Sequence, residues 1–249
     1  MMEDQPLPPE SASVPPPPDR DPFWSYMDLA VFAGMAIPCM LLGFGVVGLV
    51  VWVFGLHPAN KVAELLPAQT IGYLLLFCVL YGIVRTYGRP FWPSLGWRPV
   101  HLSPMMIICA GLGTAILVAV LGNLIGTADT ENPMTELLKG RFSILLMAAF
   151  GVTIGPLCEE LAFRGFLQPV LVRSLGTAGG ILAASVPFGL LHFQQYGQSW
   201  RHVVLISLAG SAFGWMRHIT NSTKASTLMH SAYNSVLFVA FLTAKSQGH

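Results

Sequence analysis

Seven apolar runs, at about 28–55, 67–86, 103–126, 142–165, 178–196, 202–217 and 225–244, leave this chain few ways to fold. An apolar run of about 20 residues crosses the hydrocarbon layer as a helix, because every backbone N–H and C=O must find its partner inside the segment. The balance of the chain agrees. Hydrophobic residues make up 53% and charged residues 10%, against about 25% charged in soluble domains. The expected fold is all-α: a polytopic membrane helix bundle of about seven transmembrane helices, six to eight. The run at 202–217 is the shortest, and the first is long enough to tilt or to end at the interface. With no repeat of fixed period, residues 26–249 read as one domain.

Residues 1–25 are a different material. Eight of the first 22 are proline, mixed with acidic and small residues, so the segment is expected to be a disordered, polyproline-like tail. It lacks the basic start and short apolar stretch of a secretory leader and reads as a cytosolic-type tail. A formal charge of +1 gives no sign of nucleic acid, which is not an expected partner, and no basic cluster is dense enough to suggest phosphoinositide capture. The cysteines Cys39, Cys78, Cys109 and Cys158 fall inside apolar runs without metal-ligand spacing and read as small apolar residues. With the amino terminus inside, Arg20, Arg85, Arg89, Arg98, Arg173, Arg217 and Lys224 fall on the inner side. Lys61, Lys139, Arg141, Arg201 and Lys245 fall outside, a bias that favours this orientation.

Against this background Glu159, Glu160 and Arg164 stand in the fourth run. A charged side chain at the bilayer centre costs roughly 2.5 to 3.5 kcal/mol or more, so three in one run require partners or a purpose. At about 100° per residue, Glu160 and Arg164 lie on one stripe and can pair, while Glu159 faces a neighbouring side. A carboxylate left unpaired in a low dielectric is a stronger base, as a group that takes a proton from water must be. A purely structural ion-pair cluster joining helices is the competing reading of the triplet. Two later runs each bring a histidine with a companion four residues away: Phe188 with His192, and His230 with Asn234. A lone membrane histidine usually bridges helices by hydrogen bonds. His230 and Asn234 share a face and can aim two donors at one oxygen, or help hold one metal ion.

Glu159-Glu160-x-x-x-Arg164, Phe188-x-x-x-His192 and His230-x-x-x-Asn234, in this order on successive runs, closely resemble the motifs of the CPBP family. This family of intramembrane proteases is named for CAAX prenyl proteases and bacteriocin-processing proteins, and is also called Abi. The segment Ser94–Pro99, with Leu95-Gly96-Trp97-Arg98, is similar to the loop that precedes the core in many members. The resemblance implies a membrane endopeptidase in which Glu159 and His192 activate the attacking water. It also implies that His230 and Asn234 form the oxyanion hole and that Glu160, Arg164 and Phe188 support them.

Two chemistries fit these residues. Zinc on Glu159, His192 and His230 would make a two-histidine, one-glutamate site. A metal-free, glutamate-activated water uses the same groups, and the H-E-x-x-H spacing of soluble zinc proteases is absent. Both are carried forward, with the metal-free or metal-optional reading preferred. By rise per residue, Glu159 lies about 26 Å along its run and His230 about 8 Å into the last one, which agree in depth; His192, about 21 Å from the inner side, comes out too deep. The expected partners are the lipid bilayer and a membrane-anchored peptide or protein substrate, prenylated CAAX-type chains among them. The expected location is the plasma (cell inner) membrane. A non-catalytic scaffold or immunity-type protein is the alternative. A transporter is the third reading, disfavoured because the first three runs carry almost none of the embedded charge.

Overall fold

The computed structural model of the protein describes residues 21–58, 60–127 and 133–246. These residues form helices α1 (Tyr26–Val53), α2 (Lys61–Thr86), α3 (Phe91–Ser94), α4 (Pro104–Leu124), α5 (Pro133–Leu137), α6 (Arg141–Val152) and α7 (Ile154–Glu160). A π-helical segment (Leu161–Leu167) follows, then α8 (Gln168–Leu191), α9 (Trp200–Thr220) and α10 (Thr223–Ser246), with no strand among the described residues. The chain is an integral, multi-pass membrane protein built as a polytopic helical bundle. Among the described residues five helical runs are long and apolar enough to cross a membrane: α1, α2, α4, the run Arg141–Leu191, which bends back at Gly176, and α9.

Two expected spans are changed by the structure. The runs at 142–165 and 178–196 are separate helices as expected, but the first continues past 165 through the π segment and the break comes at Gly176, whose φ of 72° and ψ of 173° suit glycine. Gly180 then lies flat on its partner: a Cβ there would collide with the Val172 backbone, so the two arms of the reversal pack at main-chain distance. The seventh expected span falls on α10. That helix is not among the strongly apolar five, since it carries Ser226, Thr227 and His230 into the interior.

Local chemistry sets the helix ends. The Asn60 carboxamide accepts from Ala63 N at 3.1 Å and the Ser103 hydroxyl from Met106 N at 3.2 Å, each satisfying an amide with no partner in its own helix. Asp28 reaches back to Ser25 N at 2.7 Å and also accepts from the Tyr87 hydroxyl at 2.8 Å. That carboxylate raises the Tyr87 phenol above its ordinary range. Residues 1–20 lie outside the described residues, but Trp24 is only 2% exposed, and its indole donates to the Phe166 carbonyl at 2.9 Å.

Buried side chains form three clusters. Trp24, Leu80, Val84, Phe91, Leu95, Leu161, Phe166 and Val170 join the lead-in, α2, α3 and the π segment at one end. Ile107, Ala209, Phe213, Met229 and Tyr233 join α4, α9 and α10 in the middle. Val62, Leu66, Leu138, Ile144, Met147 and Phe238 close the opposite end. Arg85, Arg98, Arg173, Arg217 and Lys224 gather at the first end, where α2 and α9 finish and α4 and α10 begin. Lys61, Lys139, Arg141 and Arg201 stand at the other. The free cysteines include buried Cys39 and exposed Cys78 and Cys109, in keeping with their reading as apolar residues.

Candidate active site

The Glu160–Arg164 pair forms as helix geometry required. Arg164 Nη1 donates to Glu160 Oε1 at 2.8 Å, with the two side chains 1% and 0% exposed. Leu161–Leu167 is wound as a π-helix, whose i→i+5 bonding puts more residues in a turn and brings positions four apart closer to one line. Arg164 Nη2 donates to the Gly210 carbonyl at 2.8 Å, and its guanidinium lies 4.4 Å from the Phe188 ring centroid and 5.5 Å from that of Phe213. A buried cation is thus held by one carboxylate, one carbonyl and two aromatic faces.

Glu160 Oε1 also binds His230 Nδ1, at 3.0 Å. Glu160 therefore serves two partners, an outcome the spacing of its own helix did not reveal. The His230 ring stacks on Phe213 at 4.5 Å and meets the edge of Phe188 at 5.8 Å, which fixes its plane. Its Nε2 points to Glu159 Oε2 across 3.9 Å. With Nδ1–H given to Glu160, Nε2 is an acceptor in the neutral ring and a donor in the imidazolium.

Glu159 is the more open carboxylate, with its side chain 21% exposed. It is not unpaired. The Tyr73 hydroxyl, on α2, donates to Glu159 Oε1 at 3.0 Å and itself accepts from the Gln69 amide at 3.1 Å. Tyr73 was not among the residues expected at the site. The available signal was the polar pair Gln69 and Tyr73, four apart inside an apolar run.

His192 stands at the carboxyl end of α8, its Nδ1 bonded to the Phe188 carbonyl at 2.8 Å, and its ring 5.0 Å from that of Phe188. Since a carbonyl only accepts, Nδ1 carries the proton and Nε2 is left with its lone pair. The depth mismatch expected for His192 comes from ending the run of Glu159 at 165, since that helix continues to the reversal at Gly176. In the observed reversal Val172 lies against Gly180 and Arg164 under Phe188; the same register, one turn on, brings Glu160 to the height of His192. Phe188 thus touches both histidine rings. Asn234 donates its amide to the Gly151 carbonyl at 2.7 Å, beside the break at Thr153 (φ −123°, ψ −81°) where the helix ladder is interrupted. One Asn234 N–H remains for another acceptor.

The zinc set Glu159, His192 and His230 does not assemble as a metal centre: among the described residues no three His, Cys, Asp or Glu side chains come together to hold an ion. His230 Nε2 and Glu159 Oε2 face each other, with Glu159 Oε1 held by Tyr73 and His230 Nδ1 by Glu160. The Ser94–Pro99 segment is anchored to the start of α10. Thr223 N donates to Gly96 O at 2.8 Å, Thr223 Oγ1 to Leu95 O at 2.6 Å and Ser222 Oγ to Arg98 O at 2.7 Å.

Residues 141–236 match the family model described as type II CAAX prenyl endopeptidase Rce1-like. No curated protein and no solved structure matches the chain. The matched segment runs from the start of α6 to two residues past Asn234 and holds every motif residue, while Tyr73 lies outside it. Over residues 141–236 the chain is therefore similar to the type II CAAX prenyl endopeptidases of the Rce1-like family.

Proposed function

We propose that this protein is an intramembrane endopeptidase that hydrolyses a peptide bond in a membrane-associated protein or peptide, prenylated CAAX-type chains included, with a water activated by Glu159. The observation that carries this reading is the 3.9 Å separation of Glu159 Oε2 and His230 Nε2. That is too long for a direct hydrogen bond and short enough for one water to bond both. Tyr73 occupies the other oxygen of Glu159, so the free oxygen is the one that faces the gap.

In this mechanism Glu159 takes a proton from water as the water oxygen attacks the scissile carbonyl carbon. His192, whose Nε2 lone pair is left free by the bond from Nδ1 to Phe188 O, holds the water's second hydrogen. The developing oxyanion is met by His230 Nε2–H in its doubly protonated form and by the second amide hydrogen of Asn234. Losing one such donor costs roughly 2.7 to 4 kcal/mol in other proteases. The proton on Glu159 then passes to the leaving nitrogen as the C–N bond breaks. Glu160 and Arg164 act on His230, holding Nδ1 and thereby the direction of Nε2, much as the carboxylate of a catalytic triad orients its imidazole.

The test is cleavage of a panel of membrane-anchored and prenylated peptides by purified protein in detergent, wild type against Glu159→Gln. Cleavage by the wild type and none by the variant supports the reading. Equal cleavage by both removes Glu159 from the mechanism, and no cleavage of any peptide by the wild type argues for a non-catalytic scaffold.

A further inference from the structure

A second polar feature lies at the arginine-bearing end of the bundle, past Arg164 on the side away from Glu160. It is a cleft of ≈ 280 Å³ where the lead-in at Asp21–Trp24, the Ser94–Arg98 link, the first arm of α8 and the end of α9 converge. Arg98, Arg173 and Arg217 line it, with His218 beside them and Arg164 and Gln168 also in its wall. The only carboxylate lining it is Asp21, which is exposed.

These arginines are held by neutral groups. Arg217 donates from Nε to Thr223 Oγ1 at 3.0 Å and from Nη1 to Asn221 Oδ1 at 2.8 Å. Asn221 adopts a left-handed conformation, φ 48°, at the end of α9. Arg173 donates to the Pro22 carbonyl. Arg98 has its backbone carbonyl fixed by Ser222 and sits close enough to Arg217 for the two charges to repel, while Asp21 attracts Arg217 from beyond ion-pair distance. Among the described residues no carboxylate lies within ion-pair distance of Arg98, Arg173 or Arg217. In the wall, Gln168 is 3% exposed; its amide nitrogen donates to Gly214 O, while its oxygen is buried with no partner.

Like charges facing one another in a cleft lower their energy by sharing an anion, and guanidinium forks match the oxygens of a phosphate. The cleft's height narrows the choice of anion. Trp24, Tyr87, Trp92 and Trp97 lie at the same end, the aromatic residues typical of the membrane–water interface. Basic pockets between membrane helices at that level take anionic lipid heads. We propose that this cleft binds a phosphate group, presented by the head of an anionic phospholipid, with Arg98, Arg173 and Arg217 as its ligands. Arg164 is shared between this cleft and the Glu160 pair, so an anion seated here adjoins the element that orients His230.

The binding claim is independent of peptidase activity and is tested without it. Purified protein in neutral detergent is titrated with phosphatidylglycerol, phosphatidylcholine or inorganic phosphate while thermal unfolding and lipid retention by native mass spectrometry are followed. The expected result is one retained phosphatidylglycerol and a rise in Tm, both reduced at least tenfold in apparent affinity by Arg98→Gln and largely kept by Arg98→Lys. Arg201→Gln, at the opposite end, should bind as wild type. Protection by inorganic phosphate, lost in Arg98→Gln, identifies the free anion as the source and overturns the lipid assignment. Equal protection by phosphatidylcholine, or unchanged phosphatidylglycerol binding in folded Arg98→Gln and Arg173→Gln proteins, overturns the site.

Discussion

Glu159 and Glu160 are adjacent carboxylates with opposite assignments, and the difference comes from what surrounds each. Glu160 is fully buried against Arg164 and His230, whereas Glu159 is partly exposed and held by a phenol. Replacing Arg164 by alanine leaves Glu160 buried beside a single imidazole, and breaking such a pair costs about 3–5 kcal/mol. Thermal unfolding in detergent should show a large fall in Tm or failure to express; a stable Arg164→Ala protein would refute the pairing as the source of stability. Tyr73→Phe removes only the bond to Glu159 Oε1. A hydrogen bond to a charged group contributes about 1.5–3 kcal/mol, so kcat is expected to fall by about 10- to 100-fold with little change in KM or Tm. The pH–rate profile should shift as well, which a structural role for Tyr73 would not produce. Glu159→Gln keeps the shape and loses the base, so hydrolysis should vanish while the unfolding curve stays close to wild type.

Among the elements, the reversal at Gly176 does most to build the site. It turns the helix that follows Gly176 back along the one that precedes it, so that Arg164 comes to rest under Phe188 and the histidine ending α8 returns to the height of Glu160. The close approach depends on Gly180. A methyl group there meets the Val172 backbone, which cannot move aside as a flexible side chain could. Overpacking of this kind costs about 1–3 kcal/mol. Gly180→Ala should lower both Tm and cleavage, because spreading the arms moves His192 relative to Glu159. Full activity in that variant would show that the hairpin register does not set the His192 position.

For the whole molecule, the match to known peptidases covers residues 141–236, yet two supports of that segment come from outside it. Tyr73 reaches Glu159 from α2, and Trp24 ties the lead-in to the carbonyl of Phe166 in the π segment. Trp24→Ala, which empties a buried indole site, should cost about 3–5 kcal/mol and be read as a fall in Tm. Since no three ligating side chains come together among the described residues, added chelator is expected to leave the cleavage rate unchanged. Loss of activity that zinc restores would overturn the metal-free mechanism.

The apolar runs, the Glu160–Arg164 spacing and the order of the three motifs were legible in the chain because they are local. Hydrocarbon solvation dictates helices, and helix periodicity dictates which residues share a face. That periodicity says nothing of the neighbouring helix. The tie from Tyr73 to Glu159, the second partner of Glu160 in His230, and the Asn234 bond to Gly151 each join residues from about 70 to 86 positions apart. The break between the fourth and fifth runs falls at Gly176, later than the end of the apolar run at 165, since polar and small residues can continue a helix when another segment, here Pro22–Trp24, covers its flank. The sequence by itself determined a membrane helix bundle and the residues of its polar interior. Only the tertiary structure decided which partners the two carboxylates take from other helices, Tyr73 for Glu159 and His230 for Glu160, because helix periodicity does not determine contacts between helices.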